Sequence, residues 1–214
     1  SRSQRILWLL EELGLAYEIK RYARDRKTNL APPELTAVHP LGKSPVVEDE
    51  GAVYAETGAI VDHILDRHSE GRLRPPRGTG DFDRYRYWMY AAEGTYMPPL
   101  VMTLFLNRME TAPMPFFARP VAKKLVKAVR DAYLDHTMKA QYDYLEASLG
   151  DAPWLAGNEL TAADIMMSFP VEAFSSRGAN SGDYPNIAAY LMRFQSRPAY
   201  RRALERGGPY ALLK

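Results

Sequence analysis

Nine residues, RLRPPRGTG from Arg72 to Gly80, divide this chain into two parts with different hydrophobic periods. Two prolines and two glycines in that stretch forbid a regular element and mark a linker. Upstream, helical and alternating patterns follow one another, as in an α/β unit. Downstream, every apolar pattern repeats with the helical period. With 214 residues there is room for two small domains. The expected division is 1–71, a linker at 72–80, and an all-helical part at 81–214.

The first part reads helix, strand, loop, hairpin, helix. Ile6, Leu7, Leu9, Leu10 and Leu13 give a helical stripe over Arg2 to Leu13, and Gly14 stands at the C′ position. Ser1 and Ser3 are both acceptable N-caps. AYEIKRY, from Ala16 to Tyr22, alternates and predicts a strand. TNLAPPELTAVHPLG holds three prolines and predicts a loop with at most a short helical turn. SPVVEDEGAVYA predicts a hairpin around Asp-Glu-Gly. ETGAIVDHILDRHSEG predicts a helix with Ile60, Val61, Ile64 and Leu65 on its buried stripe and Gly71 as its stop. The second part predicts a long aromatic helix from Asp81, broken at Pro98-Pro99 and resumed over Leu100–Met109. A longer helix ends at Gly150, and three shorter ones begin near Leu160, Asn186 and Ala199.

Composition removes several function classes. The chain has no Cys, so it has no disulfide, no zinc-thiolate site and no C-x-x-C redox pair. A net charge of +2 gives no reason to expect nucleic acid. The basic run KRYARDRK, Lys20 to Lys27, reads as a solvated edge. No apolar run approaches the ~20 residues of a membrane span, and no signal peptide is evident, so no membrane partner and a cytoplasmic location are expected. The four histidines form no metal site by spacing; His63 and His68 are five apart, which suits one helix face poorly.

Four short stretches carry chemistry. In GKSPVV, Pro45 cannot donate to a strand ladder, and it either starts an edge strand or follows a cis bond that presents the Ser44 backbone to an extended ligand. In YAETGAIVDHIL, Glu56 and Thr57 stand where a strand meets a helix. They either cap that helix or, with its free N–H groups, hold the ammonium and carboxylate of an α-amino acid. In LTAADI, Thr161 and Asp164 have the spacing of a capping box, a folding device. The opening hydroxyls have neither a G-x-S-x-G elbow nor a nearby His, which argues against a serine nucleophile. A hydroxyl at a helix N-terminus can instead donate to a thiolate supplied from outside. A thiol with pKa near ~8.5 is a few per cent ionised at neutral pH, and a drop of two units, about 2.7 kcal/mol, makes it mostly thiolate.

SRSQR with its helix, GKSPVVEDEGAVYAETGAIVDHIL, the Pro-rich linker, WLAGNELTAADI and RPAYRRALE occur in the order found in the cytosolic glutathione S-transferases. The chain resembles that family over nearly its whole length, and its bacterial and fungal serine-type branch most. The resemblance implies a thioredoxin-like N-terminal domain that binds glutathione and an all-helical C-terminal domain that completes the site for a hydrophobic electrophile. It implies that Ser1 stabilises the glutathione thiolate, with Ser3 as the fallback, and that Ser44, beside a cis Pro45, pairs through its backbone with the cysteinyl part. Glu56 and Thr57 would hold the γ-glutamyl group and Lys43 the glycyl carboxylate, while Thr161 and Asp164 match the family's buried capping box. It also implies no cofactor or metal beyond glutathione as co-substrate, a detoxification role and a homodimer. In the family a central strand precedes the catalytic Ser; the sequence begins at Ser1, so residues upstream are expected to carry it. The apolar helix face of Tyr85, Trp88, Met89, Tyr96 and Met97 is either core or the wall of the electrophile site. The tail GGPYALLK, loosened by Gly207-Gly208, is placed to fold over the cleft. The expected reaction is conjugation; glutathione-dependent peroxide or disulfide reduction and a non-catalytic binding role are the rivals.

Overall fold

The computed structural model describes residues 2–25, 28, 30–176 and 182–210. It shows a small hairpin-containing N-terminal unit followed by a helical one. α1 spans Ser3–Leu13, α2 Pro33–Val38 and α3 Thr57–His68; β1, Val46–Asp49, pairs antiparallel with β2, Ala52–Ala55. Then come α4 (Gly80–Ala91), α5 (Met97–Thr111), α6 (Arg119–Val129), α7 (Asp135–Asp151), α8 (Ala162–Ser175), α9 (Pro185–Gln195) and α10 (Pro198–Gly207). Among the described residues the sheet has two strands, and no helix is long and apolar enough to cross a membrane.

The hairpin turn is Glu50-Gly51, both with positive φ (51° and 80°), the pairing that a two-residue turn of primed type demands. α1 is the shared wall of the molecule. Its buried Ile6, Leu9 and Leu13 join Ile60, Val61 and Ile64 of α3 and Ile165 and Met166 of α8 in one cluster. Trp8 is fully buried against Phe194, 5.6 Å between ring centroids, and edge-on to Tyr200 at 5.3 Å. Each such side chain contributes about 1.5–3 kcal/mol by leaving water. The linker joins the end of this wall to the start of α8: Arg72 Nη2 donates to Leu13 O at 3.0 Å, and Ala162 N donates to Leu73 O at 2.9 Å. Both bonds satisfy backbone groups that helix ends leave open.

Several sequence expectations are corrected. Ala16–Tyr22 pairs with no strand among the described residues, and the C-terminal region packs against it instead. Arg206 Nη2 donates to Tyr17 O at 2.9 Å, and the Arg206 guanidinium lies 3.7 Å from the Tyr17 ring centroid. Arg21 Nη2 in turn donates to Arg206 O at 2.9 Å. Ser3 does not cap α1; Arg2 occupies the N-cap, with no side-chain bond there, and Ser3 is the first helical residue. α3 ends at His68, before Gly71, where Ser69 Oγ bonds back to Leu65 O at 2.6 Å. Pro98-Pro99 does not break the helix. A π-helical segment, Ala92–Tyr96, joins α4 to α5, and the prolines enter α5 in its first turn, where their missing N–H groups cost least. The Thr95 carbonyl, which a residue other than Pro99 would reach in an α-helix, accepts from Gln141 Nε2 at 3.1 Å instead. Tyr85, Trp88, Met89 and Tyr96 are core residues.

Two buried carboxylates organise α8. Asp164 is fully buried and accepts from Leu155 N (2.9 Å), Thr161 N (2.8 Å), Thr161 Oγ1 (2.9 Å) and Tyr190 OH (3.0 Å). It closes a capping box and ties the preceding loop and α9 to the start of α8. Glu172, 2% exposed, accepts from Tyr200 OH, from Tyr210 OH at 2.6 Å and from Gln195 Nε2 at 3.1 Å. Its partners are neutral, and burial pushes its pKa up against those three hydrogen bonds.

Asp164→Ala strands four buried donors and should cost about 2–4 kcal/mol in chemical denaturation; a loss below about 1 kcal/mol contradicts this network. For Glu172 the folded state holds the proton more tightly than the unfolded chain. The carboxyl's contribution is therefore fully present below the ordinary glutamate value near ~4.3 and is lost as pH rises through the raised folded value. The stability of the protein relative to its Glu172→Gln variant should fall as pH rises above the ordinary glutamate range. Denaturant titrations at a series of pH values check it, and a flat difference refutes the direction.

Candidate functional site

The register of the hairpin builds one end of the site. Val46 pairs with Ala55, so Ser44 and Pro45, which lead into β1, and Glu56 and Thr57, which follow β2, lie at the same end of the hairpin. The Ser44-Pro45 peptide bond is cis. Glu56 is the N-cap of α3 and holds φ at 67°, a left-handed value that non-glycine residues adopt at a cost of order ~1–3 kcal/mol. Thr57 is the first helical residue and is 5% exposed, whereas Ser44 and Glu56 are exposed. Thr57 thus does not cap α3; Glu56 holds that position, without a side-chain bond. The free N–H groups and positive end of a 12-residue helix therefore open beside the exposed Ser44 backbone.

Lys43, also exposed, reaches this end through a turn that only Gly42 can make. Gly42 has φ 54°, and a Cβ there would lie 2.7 Å from Ala31 Cβ and 2.9 Å from Thr36 Cγ2. Arg24 Nη2 donates to Gly42 O at 3.3 Å and Gly42 N to His39 O at 2.9 Å, which hold the turn against α2. Lys43, Ser44, Pro45, Glu56 and Thr57 are thus gathered at one end of the hairpin. Ser1 lies outside the described residues, and Ser3 sits half-buried at the start of α1. Thr161 and Asp164 lie elsewhere, in the capping box of α8.

A second concavity opens at the start of α1. Its volume is about 510 Å3, within the ordinary range for small-molecule sites. Arg2 and Glu93 form its polar rim, and Met97, Val101, Met102 and Phe105 of α5 line its apolar wall. Of the aromatic stripe read in the sequence, Met97 alone reaches this wall. The α5 residues were missed because their i, i+4, i+8 run, Met97–Val101–Phe105, reads equally as a core stripe. The rim is held from beneath by Arg5, which is fully buried, donates to Met166 O at 3.0 Å and pairs with Glu93. Burial lowers the Arg5 pKa, and Glu93 works against that shift.

Among the described residues one trio brings three metal-ligating groups within 4.8 Å of one another: Asp49 at the far end of β1 with His63 and His68. The histidines' spacing of five concealed it, because the residue that joins them lies on another element.

The family model for the N-terminal domain of glutathione S-transferases matches residues 1–66, and that for the C-terminal domain matches residues 105–198. Glutathione S-transferase 3 of Schizosaccharomyces pombe is 34% identical over 96% of this chain and 84% of its own length. Glutathione S-transferase 1 of Saccharomyces cerevisiae is 33% identical over 96% of this chain and 91% of its own. The crystal structure of a glutathione S-transferase from Actinobacillus pleuropneumoniae superposes with a TM-score of 0.76 at 36% identity, covering 99% of this chain and 91% of that one. With both domain models matched in order and relatives above 30% identity along nearly the whole chain, this protein belongs to the glutathione S-transferase family and is a glutathione transferase.

Proposed function

We propose that this enzyme joins the sulfur of glutathione to an apolar electrophile. The observation that carries the reading is the apolar cavity at the start of α1, where the family's activated sulfur is held. It gives a hydrophobic carbon centre a place beside the thiolate. The hairpin end supplies the glutathione contacts. The Ser44 backbone pairs with the cysteinyl unit, Glu56 takes the α-ammonium, and Thr57 with the α3 N–H groups takes the γ-glutamyl carboxylate. Lys43 takes the glycyl carboxylate. The Ser1 hydroxyl donates to the sulfur, and the thiol proton leaves to solvent. The thiolate then forms a carbon–sulfur bond, and either a leaving group departs with the broken bond's electrons or a conjugated double bond is saturated as its far carbon takes a proton from solvent.

We further place the boundary between the two domains at 72–80, the enzyme in the cytoplasm, and two copies in the working assembly. The last rests on the exposed Tyr90 of α4 and Leu104 and Met109 of α5, which leave apolar surface outside the cavity.

An ultraviolet titration of bound glutathione, with turnover of an aromatic halide set against that of an organic hydroperoxide, tests the reading. A thiol pKa lowered by about two units together with faster halide turnover supports conjugation. Faster hydroperoxide turnover replaces it with reduction, for which two glutathiones supply both electrons. Ser1→Ala should lower kcat by more than ~10-fold, about 1.4 kcal/mol, with little change in the glutathione KM. Unchanged turnover moves the role to Ser3. Thr57→Ala should raise the glutathione KM about tenfold with kcat nearly kept, as expected for a lost hydrogen bond to a carboxylate. An unchanged saturation curve contradicts the head-group assignment.

A further inference from the structure

The end of the hairpin remote from Ser44 carries a cluster that the transferase reading does not use. His63 Nε2 and His68 Nε2 each lie 2.7 Å from the same oxygen, Asp49 Oδ2. One ligand atom from each of the three residues falls within 4.8 Å of the others. The two rings stand nearly perpendicular, at 79° with centroids 6.0 Å apart, and approach the carboxylate from different directions. Tyr54 of β2 stacks on the His63 ring at 3.6 Å and fixes its plane. All three side chains are partly buried: 27% exposed for Asp49, 12% for His63 and 32% for His68. Of the two carboxylates adjacent to Asp49 in sequence, Glu48 and Glu50, Glu50 is paired with Arg67 at 3.2 Å.

As they stand, the three groups form a hydrogen-bonded trio. Their chemistry and spacing suit more than that. Two imidazoles and one carboxylate make a three-ligand set that leaves a fourth position for water, and imidazole favours zinc, nickel, copper and cobalt over magnesium or calcium. Ligands bonded at ~2.0–2.1 Å to a tetrahedral ion stand about 3.3 Å apart, so each imidazole needs to withdraw from Asp49 by about 0.6 Å. That is a small rotation for partly exposed side chains. The chain has no Cys to compete for a thiophilic ion, and its other histidines, His39 and His136, belong to other elements.

The geometry points to a divalent transition-metal site of the zinc type, built from Asp49, His63 and His68 with water as fourth ligand. Entry of the ion moves each Nε2 proton to Nδ1, or releases it to solvent where the ring is an imidazolium. No electron is transferred and no co-reactant is needed. The ion bridges β1 to the last two turns of α3 and so staples the hairpin whose other end presents Ser44 and Pro45. The site stands independently of the conjugation reading.

The test uses the full chain freed of metal by a chelator. Co2+ titration should give the visible absorption of a tetrahedral nitrogen–oxygen site with one ion per chain, which Zn2+ then displaces. Saturating Zn2+ should raise the melting temperature by a few degrees, since it binds the folded hairpin and not the unfolded chain. The doubly substituted chain Asp49→Asn with His68→Gln keeps hydrogen-bonding groups at both positions. It should retain its helical circular dichroism and lose both the Co2+ spectrum and the Zn2+-dependent melting shift. His39→Ala and His136→Ala should keep both. The proposal is overturned if no saturable binding appears up to about 100 μM ion. It is equally overturned if binding survives in the folded double variant, or if it is lost on replacing His39 or His136.

Discussion

A buried guanidinium without a water shell holds the two parts of this enzyme together. Pro170 lies inside α8 and has no N–H to give to the carbonyl four residues back, that of Met166. Arg5 of α1 donates to that carbonyl, and its other arm pairs with Glu93 in the π-helical segment. One side chain thus answers a helix's backbone deficit, neutralises itself and sets the angle at which α1 meets the helical domain. The arrangement is costly to disturb from either side, because removing one partner of a buried charge leaves the other uncompensated. Trp8, one helical turn on from Arg5, continues the same junction with aromatic contacts to α9 and α10.

That junction positions the chemistry. α1 enters the core between α3 and α8, so its first residues emerge beside the apolar wall of α5 and the polar rim made by Arg2 and Glu93. The hairpin and α3 rest on the other side of α1. Their register delivers the cis Ser44-Pro45 bond and the first turn of α3 to one end and the Asp49–His63–His68 cluster to the other. A short hairpin therefore carries two chemically different ends, one built from open backbone groups and one from titratable side chains. The tail expected over the cleft is described as far as Tyr210, whose hydroxyl is anchored on Glu172; Ala211 to Lys214 lie outside the described residues.

Much of this was legible in the residues. The helical stripes of α1 and α3, the Glu50-Gly51 turn and the capping-box spacing of Thr161 and Asp164 are local codes, read by neighbours two, three or four residues apart. The failures were also physical. Ala16–Tyr22 has strand-like alternation, but no described strand pairs with it, and Arg206 takes the Tyr17 carbonyl. Pro98-Pro99 looks like a break, but a π-helical segment and Gln141 absorb the missing donors. The aromatic stripe of α4 was ambiguous between core and pocket, because amphipathicity tells which face is covered and not what covers it.

The sequence by itself determined much of the order of elements, the lack of any cysteine of its own and the family to which the chain is similar, since these rest on composition and short-range period. Only the tertiary structure decided that Arg5 reaches Met166, 161 residues away, that α5 rather than α4 lines the cavity, and that Asp49 brings together two histidines 14 and 19 residues distant. Such contacts depend on how helices pack and on which donor is left without its own partner. No local repeat in the chain records either.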